Sequence, residues 1–195
     1  MDCSNHCCCV LFICEIGGYS PLCIPFLTGC TEITHTGLYP PSAFIYRFGL
    51  IAGSAFISLL WLILSHYLAS LNLPFLSAKV LPYLGILGAF ALSLGECWID
   101  PNVSLSTHVI LMQVFSITTG VSVFGTTYFL QKNRATGQKV RIFCLLMALI
   151  LLGLNPFDFN GNAIEWWAAT LVIIWFLSFY TVFSKYSLSV SPNFA

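Results

Sequence analysis

The sequence predicts an all-α fold: a polytopic transmembrane helix bundle with five clear spans, and a degenerate sixth span at the N-terminus as an open alternative. Hydrophobic residues make up 58% of the 195 positions and charged residues only 7%, against roughly a quarter charged in soluble domains. The apolar residues lie in long runs, near the about 20 residues that a helix needs to cross about 30 Å of hydrocarbon. Basic residues concentrate in one short connection between two of these runs, as they do in cytoplasmic loops.

Five apolar segments are predicted spans. The fourth is the shortest, but each Leu, Ile or Phe near the bilayer centre favours insertion by roughly 0.3 to 0.6 kcal/mol, and this segment is rich in them. The second contains Pro82, which we place in its opening turn, where a helix tolerates proline. The predicted spans are residues 43–68, 80–98, 107–130, 140–154 and 164–183.

The segment before residue 43 has a mixed pattern. Residues 10–27 are apolar overall but contain Glu15, Pro21 and Pro25, so they form a degenerate first span or none. A cleaved signal peptide is disfavoured, because no basic stretch precedes the apolar one. We therefore divide the chain into an N-terminal segment with a lumenal loop (1–42), a five-helix transmembrane bundle (43–186) and a cytoplasmic tail (187–195).

The nine cysteines show no paired spacing that would predict a disulfide framework. Cys7, Cys8 and Cys9 lie beside an apolar stretch and could accept palmitate, or could be unmodified thiols of an N-terminal tail. A zinc site with His6 lacks the ligand spacing that structural zinc needs. No metal and no cofactor is predicted.

The distribution of charge predicts the orientation of the bundle. The short connection between the third and fourth spans carries Lys132, Arg134, Lys139 and Arg141, which predicts that it is cytoplasmic. Threading outward from it places six of the seven basic residues on the cytoplasmic side, with Arg47 as the exception. The outer face, lumenal or extracellular, receives five acidic residues: Glu32, Glu96, Asp100, Asp158 and Glu165.

Several function classes are disfavoured by what the sequence lacks. The formal net charge is zero, so no basic patch of the kind that binds nucleic acid is present. The motifs GxSxG, HExxH, GxGxxG and the Walker sequence are missing. No acidic residue lies in the middle of a predicted span, which leaves a small-solute transporter as the third-ranked interpretation.

Ionisable residues at the outer boundary of the spans form the candidate site. Carboxylates, imidazoles and a guanidinium at this depth could hold a polar head group or perform acid–base chemistry. The alternative is a network of salt bridges and helix caps that fixes the ends of the helices. The candidate residues are His35, Arg47, Glu96, Asp100, His108 and Glu165.

Pairs of small residues spaced four apart predict close helix packing inside the bundle, because they let two backbones approach. The three pairs are Gly49 with Gly53, Gly85 with Ala89, and Ser116 with Gly120.

The stretch ITHTGLYPPSAFIYRFGLIAG (residues 33–53) leads into the first predicted span. It resembles the "ISDTG…PP…IF" entry into a helix of the damage-regulated autophagy modulator (DRAM) family, with Thr34-His35 where the family often has Ser-Asp. That family is related to the Sfk and Frag proteins and to the post-GPI-attachment remodelling factor two. The other matches, in the same order, are LGILGAF (84–90), His108 opening a helix, VRIF (140–143) and AIEWWAATLVIIWFLSFYTVFSK (163–185).

The resemblance implies a six-helix bundle with cytoplasmic termini in lysosomal, endosomal or plasma membranes, with the endoplasmic reticulum and Golgi as alternatives. It implies a non-catalytic regulator or adaptor in autophagy or membrane organisation, whose partners are membrane lipids and other membrane or autophagy proteins. The alternative is a lipid-remodelling factor for GPI anchors, which would bind a head group through Arg47, His108 and Glu165.

Overall fold

The computed structural model describes residues 24–98, 106–132, 138–154 and 161–180, and within these ranges the chain is helical, without a strand. The predicted all-α class is therefore confirmed for the described residues. A 3₁₀ turn (Thr34–Gly37) precedes α2, and a π-helical turn (Leu76–Val80) runs directly into α3. The α-helices are α1 (Pro25–Thr28), α2 (Ser42–Ser70), α3 (Leu81–Cys97), α4 (Ser106–Lys132), α5 (Gln138–Leu154) and α6 (Gly161–Leu177).

Three of these helices are long and apolar enough to cross a membrane. Ser42–Ser70, Leu76–Cys97 and Ser106–Lys132 contain 29, 22 and 27 residues, and at about 1.5 Å per residue each exceeds the about 30 Å of the hydrocarbon core. Their outer surface suits lipid rather than water, since Phe44, Phe48 and Phe56 on α2 are each at least 70% exposed. The chain is therefore a membrane protein with three candidate spans.

Helices α5 and α6 have 17 residues each, which lies at the short limit for a membrane span. Their presence agrees with the helices expected at residues 140–154 and 164–183. The count of five spans stays a prediction.

The second long helix begins at Leu76 and not at residue 80 as predicted, so Pro82 lies inside it and interrupts its hydrogen bonds. Proline has no N–H, so the carbonyl four residues earlier, that of Ala78, loses its helical donor. Ser65 Oγ of α2 donates to this carbonyl at 2.8 Å. The chain also widens into the π-helical turn just before the proline, with Leu81 N–H donating to Leu76 O. A bond from a neighbouring helix thus lets the helix start a turn earlier.

The last helix is interrupted by a two-residue turn, and Tyr180 after it is helical again, so its predicted end at residue 183 is untested. α6 ends at Leu177 and the turn follows at Ser178 and Phe179, while the hydropathy pattern continues to residue 183. The Ser178 hydroxyl donates to Trp175 O at 2.6 Å, and a serine that bonds to its own backbone offers an alternative to the regular helix. Residues 181–183 lie outside the described ranges.

The proposed degenerate span at residues 10–27 lies almost wholly outside the described residues, so the choice between five and six spans is untested. Within it, only the single helical turn Pro25–Thr28 is described. The cysteines differ from expectation, because Cys30 is disulfide-bonded although the spacing of the cysteines predicted no pairing. Cys97 and Cys144 are free thiols.

An aromatic core joins the helices. The rings of Trp61 on α2 and Trp175 on α6 are fully buried, with centroids 5.5 Å apart. Trp175 Nε1 donates to Thr127 Oγ1 of α4 at 2.9 Å, which satisfies both polar groups away from water. Gly85 of α3 lies directly against the Trp61 ring, which leaves no space for a side chain there.

The charges are sorted to two ends of the bundle. At one end, which we call the carboxylate end, Arg47 near the start of α2 interacts electrostatically with Glu96 near the end of α3. Glu165, in the second turn of α6, lies near Glu32 at the same end. At the opposite end, which we call the basic end, α4 finishes and α5 begins, joined by a bond from Gln138 Nε2 to Thr127 O at 3.0 Å. The basic end carries Lys79, Lys132, Lys139 and Arg141.

The contact of Gly85 with Trp61 gives a direct test of the packing. We expect Gly85→Ala to lower the free energy of unfolding by about 1 to 3 kcal/mol, because the added methyl group overlaps an indole ring that is fully buried. The matched variant Gly49→Ala places the same methyl group where nothing lies within 4 Å, and alanine favours a helix over glycine by up to about 1 kcal/mol. Denaturant unfolding of the purified chain in one mild detergent compares the two; equal losses would contradict this packing.

Candidate functional site

The first turns of α6 hold the loop that precedes α2. Asn162 and Trp166 are four residues apart, so they project from the same face of the helix, and the ring of Phe26 packs against Trp166 with centroids 5.4 Å apart. Four hydrogen bonds fix the loop: Trp167 Nε1 to Phe26 O at 3.0 Å, Asn162 Nδ2 to Gly29 O at 2.9 Å, Trp166 Nε1 to Thr31 O at 3.1 Å, and Ile33 N to Glu165 Oε2 at 3.4 Å.

His108, in the first turn of α4, joins the same loop to the end of α3. Its Nδ1 lies 3.0 Å from Gly95 O and its Nε2 lies 3.3 Å from Thr34 Oγ1. A carbonyl oxygen can only accept, so Nδ1 carries the hydrogen, and in the neutral imidazole Nε2 accepts from the Thr34 hydroxyl. The side chain is buried, and both ring nitrogens have a partner. His108 is therefore a bridge between three segments of the chain.

Tyr46 completes this arrangement from α2. Its side chain is buried, its hydroxyl is hydrogen-bonded to the Thr34 side chain, and the Glu96 and Glu165 carboxyl groups lie nearby. Gly37 lies against the Tyr46 ring so closely that any Cβ would overlap it. A glycine at position 37 thus lets the loop reach the tyrosine.

Glu96 is the most deeply buried carboxylate of the described residues, with 1% of its surface exposed. A buried carboxylate is unfavourable unless a charge or hydrogen bonds compensate it, and the Arg47 guanidinium supplies an opposite charge. Its Oε2 atom has no hydrogen-bond partner among the residues that the structure describes. Among the described residues, it is the only acceptor atom of the cluster that is buried without a hydrogen-bond partner.

The structure brings four of the six candidate residues into one group at the carboxylate end: Arg47, Glu96, His108 and Glu165. We call these four, with Thr34 and Tyr46, the outer cluster. His35 lies in the 3₁₀ turn beside it and packs edge-on against Tyr39, with ring centroids 6.2 Å apart. Asp100 lies outside the described residues.

Thr34 and Tyr46 were missed by the sequence reasoning. That reasoning searched for ionisable residues at span boundaries, and neither a threonine nor a tyrosine stands out by that criterion. The contact of Thr34 with His108 joins positions 74 residues apart, which no local pattern predicts. One signal could have pointed to Thr34. It stands where the family that the chain resembles often has serine, and both residues carry a hydroxyl.

The predicted packing pairs fall in different environments. Gly85 contacts Trp61, and Ala89 is fully buried. An added Cβ at Gly49, Gly53 or Gly120 would meet no atom within 4 Å, and Ser116 is exposed. The structure therefore brings one of the three pairs against a neighbouring helix.

The outer cluster is arranged to hold segments together. Its imidazole is bonded at both nitrogens and Glu165 accepts from a backbone N–H, so these groups are engaged within the chain. Among the described residues, no group of three or more His, Cys, Asp or Glu side chains could hold a metal ion. An open groove lies elsewhere, beside the π-helical turn, and is lined by Phe75, Lys79, Val80, Tyr83, Leu84 and Leu87.

Comparison with known proteins identifies no relative: no family model, no curated protein and no solved structure matches the chain.

The His108 bridge predicts a specific loss of stability. We expect His108→Leu to lower the free energy of unfolding by about 1 to 3 kcal/mol, because it leaves the buried Gly95 O without its partner and removes the bond to the partly buried Thr34 hydroxyl. Thr34→Val removes only one of these bonds and should cost about 0.5 to 1.5 kcal/mol. The double variant should lose less stability than the sum of the two single losses, since both substitutions remove the bond between Thr34 and His108.

Denaturant unfolding of the wild type, the two single variants and the double variant measures this coupling. His66→Leu is the matched control, because His66 is exposed and lies far along α2 from the outer cluster; it should leave stability nearly unchanged. Strictly additive losses for Thr34 and His108 would show that the two side chains do not interact.

Proposed function

We propose that the chain is a five-span membrane regulator or adaptor of the DRAM type, acting in autophagy or in the organisation of endolysosomal or plasma membranes. The endoplasmic reticulum and Golgi are the alternative compartments. In this proposal the basic end faces the cytosol, the carboxylate end faces the lumen or the cell exterior, and α5 and α6 complete the bundle. Membrane lipids and other membrane or autophagy proteins are the partners.

One observation carries the proposal: three of the stretches that resemble the family contact each other at the carboxylate end. The loop before α2 bonds to His108 through Thr34 and to Glu165 through Ile33, across 74 and 132 residues of sequence. Trp166, beside Glu165, bonds to the same loop. Residues that resemble one family in separate segments thus share one physical task, which is to fix the loop on the helix ends.

A loop fixed in this way suits an adaptor. Its inner groups are bonded within the chain, while Leu27 is 72% exposed and Glu32 is also exposed, so it presents a defined surface at the end of the bundle. A partner that binds a preordered loop loses less conformational entropy on binding. The loop at residues 24–41 is therefore the surface that we assign to protein partners.

Two further observations support the assigned orientation and the span count. Cys30 in this loop is disulfide-bonded, and disulfides persist in the lumen and outside the cell but are rare in the cytosol. The positive charge of the basic end is typical of a cytoplasmic face. Helices of 17 residues lie within the range of natural spans.

Depletion of the protein in the cells that express it tests the adaptor function. We expect a tagged copy on endolysosomal or plasma membranes and a changed autophagic flux, measured as turnover of a lipidated autophagosome marker with and without lysosomal inhibition. Wild-type protein should restore the flux, and Glu165→Ala should restore less at equal protein level, because the loop loses an anchor. Glu165→Gln, which removes the charge but keeps a side-chain oxygen that can accept from Ile33 N–H, separates the loss of an anchor from the loss of a charge. Unchanged flux together with no endolysosomal or plasma-membrane signal would contradict the proposal.

A second candidate function, remodelling of GPI-anchor lipids, is favoured by the open Glu96 Oε2 beside Arg47 and His108. In that function the cluster would bind a head group and Glu96 would accept a hydrogen bond from one of its hydroxyl or amine groups. Glu96→Gln should then alter the lipid composition of cellular GPI anchors at normal protein level, whereas Glu32→Gln should not. Identical composition in both would remove this candidate and leave the adaptor proposal standing.

A further inference from the structure

Arg141 is a fully buried cation at the basic end, one turn into α5. An arginine side chain remains charged at physiological pH, and a buried charge without a counter-ion is strongly destabilising. Buried arginines are therefore expected to face a carboxylate, a phosphate or a comparable anion. Among the described residues, the Arg141 guanidinium contacts none of these anions.

Every described contact of the Arg141 guanidinium is with a neutral group. Nε donates to Ser178 Oγ at 3.1 Å, and Nη1 donates to Gln138 Oε1 at 3.5 Å. The guanidinium carbon lies 3.7 Å from the centroid of the Phe179 ring, a cation–π contact that orients the planar group. Nη2 has no hydrogen-bond partner among the described residues.

The described carboxylates are too far away to neutralise this charge. Glu32, Glu96 and Glu165 belong to the carboxylate end. Ser178, which bonds to Arg141, follows Glu165 by 13 residues along the α6 chain, so the two ends are separated by about 20 Å. At that distance no contact ion pair forms.

The local backbone and the neighbouring side chains favour an anion. The first N–H groups of α5 have no partner within the helix, and the N-terminus of a helix carries a partial positive charge. Lys139 is exposed in the same turn, and Lys132 is exposed at the end of α4. Helix N-termini with a nearby arginine are common binding sites for phosphate groups.

We propose that Arg141 and the first turn of α5 bind a phosphate group at the basic end, supplied by the head group of an anionic lipid or by a soluble phosphate. Nη2 is the free donor, and Phe179, Ser178 and Gln138 hold the guanidinium so that this donor is already oriented. Since the guanidinium is fully covered, the phosphate reaches it as covering side chains move aside, and association should be slow. The site is independent of the adaptor function and of the outer cluster.

Thermal unfolding of the purified full chain tests the site, with inorganic phosphate and phosphatidic acid as probes. Inorganic phosphate is titrated in an uncharged detergent against sodium chloride of equal ionic strength. Phosphatidic acid is added to nanodiscs of phosphatidylcholine. We expect at least one probe to raise the unfolding midpoint of the wild type, and its apparent affinity to fall at least about tenfold in Arg141→Gln.

Two variants control for charge and for geometry. Lys79→Gln removes one positive charge from the same end, where Lys79 is partly exposed, and should bind the probe like the wild type. Arg141→Lys keeps the charge but loses the planar fork, and should bind more weakly than the wild type and more tightly than Arg141→Gln.

The outcomes separate the sources of the phosphate. Stabilisation by phosphatidic acid alone identifies a lipid head group, stabilisation by inorganic phosphate alone identifies a soluble ligand, and stabilisation by both leaves the site open to either; each supports the site. If neither probe raises the midpoint of the wild type, or if Arg141→Gln and Arg141→Lys respond as the wild type does, the proposal is overturned. The wild-type titration decides even if Arg141→Gln does not fold.

Discussion

The structure depends on one constraint: inside hydrocarbon, a polar group has no water to bond with and must find its partner within the protein. Ser65 shows the result, since it bonds to the carbonyl that Pro82 leaves without a donor. Ser122 of α4 likewise bonds to Leu81 O at 2.8 Å, and Trp175 bonds to Thr127. Each of these bonds joins two helices, so satisfying the backbone and packing the bundle are the same event.

The same constraint sends the charges to the ends of the helices, and the two ends solve the problem differently. At the carboxylate end the groups compensate each other: Arg47 faces Glu96, and Glu165 accepts from a backbone N–H. At the basic end Arg141 is held by neutral side chains and keeps a free donor. The first arrangement is suited to fixing a loop, and the second to accepting an anion. Both functional proposals follow from this difference.

The sequence was sufficient where a single physical signal dominates. Hydropathy placed the ends of α2, α4 and α5 within two residues, and the position of charged residues at span boundaries identified Arg47, Glu96, His108 and Glu165. It was insufficient where a distant partner decides the outcome. The start of the Leu76–Cys97 helix depends on Ser65, and the position of the loop before α2 depends on His108 and Glu165. The spacing of Gly49 and Gly53 matches that of Gly85 and Ala89, but spacing does not say which face is covered.

The orientation of the two ends relative to the membrane is the central claim, and glycosylation mapping tests it most directly. A flexible insert with an acceptor sequence is placed beside Glu32 in one version and between residues 133 and 137 in another. The sequence Asn102-Val103-Ser104 is itself an N-x-Ser acceptor, so Asn102 is replaced by Gln in both versions. When each version is translated in the presence of microsomes, the insert beside Glu32 should be glycosylated, and the insert between residues 133 and 137 should not. Glycosylation of the insert between residues 133 and 137 would place the basic end in the lumen and contradict the account.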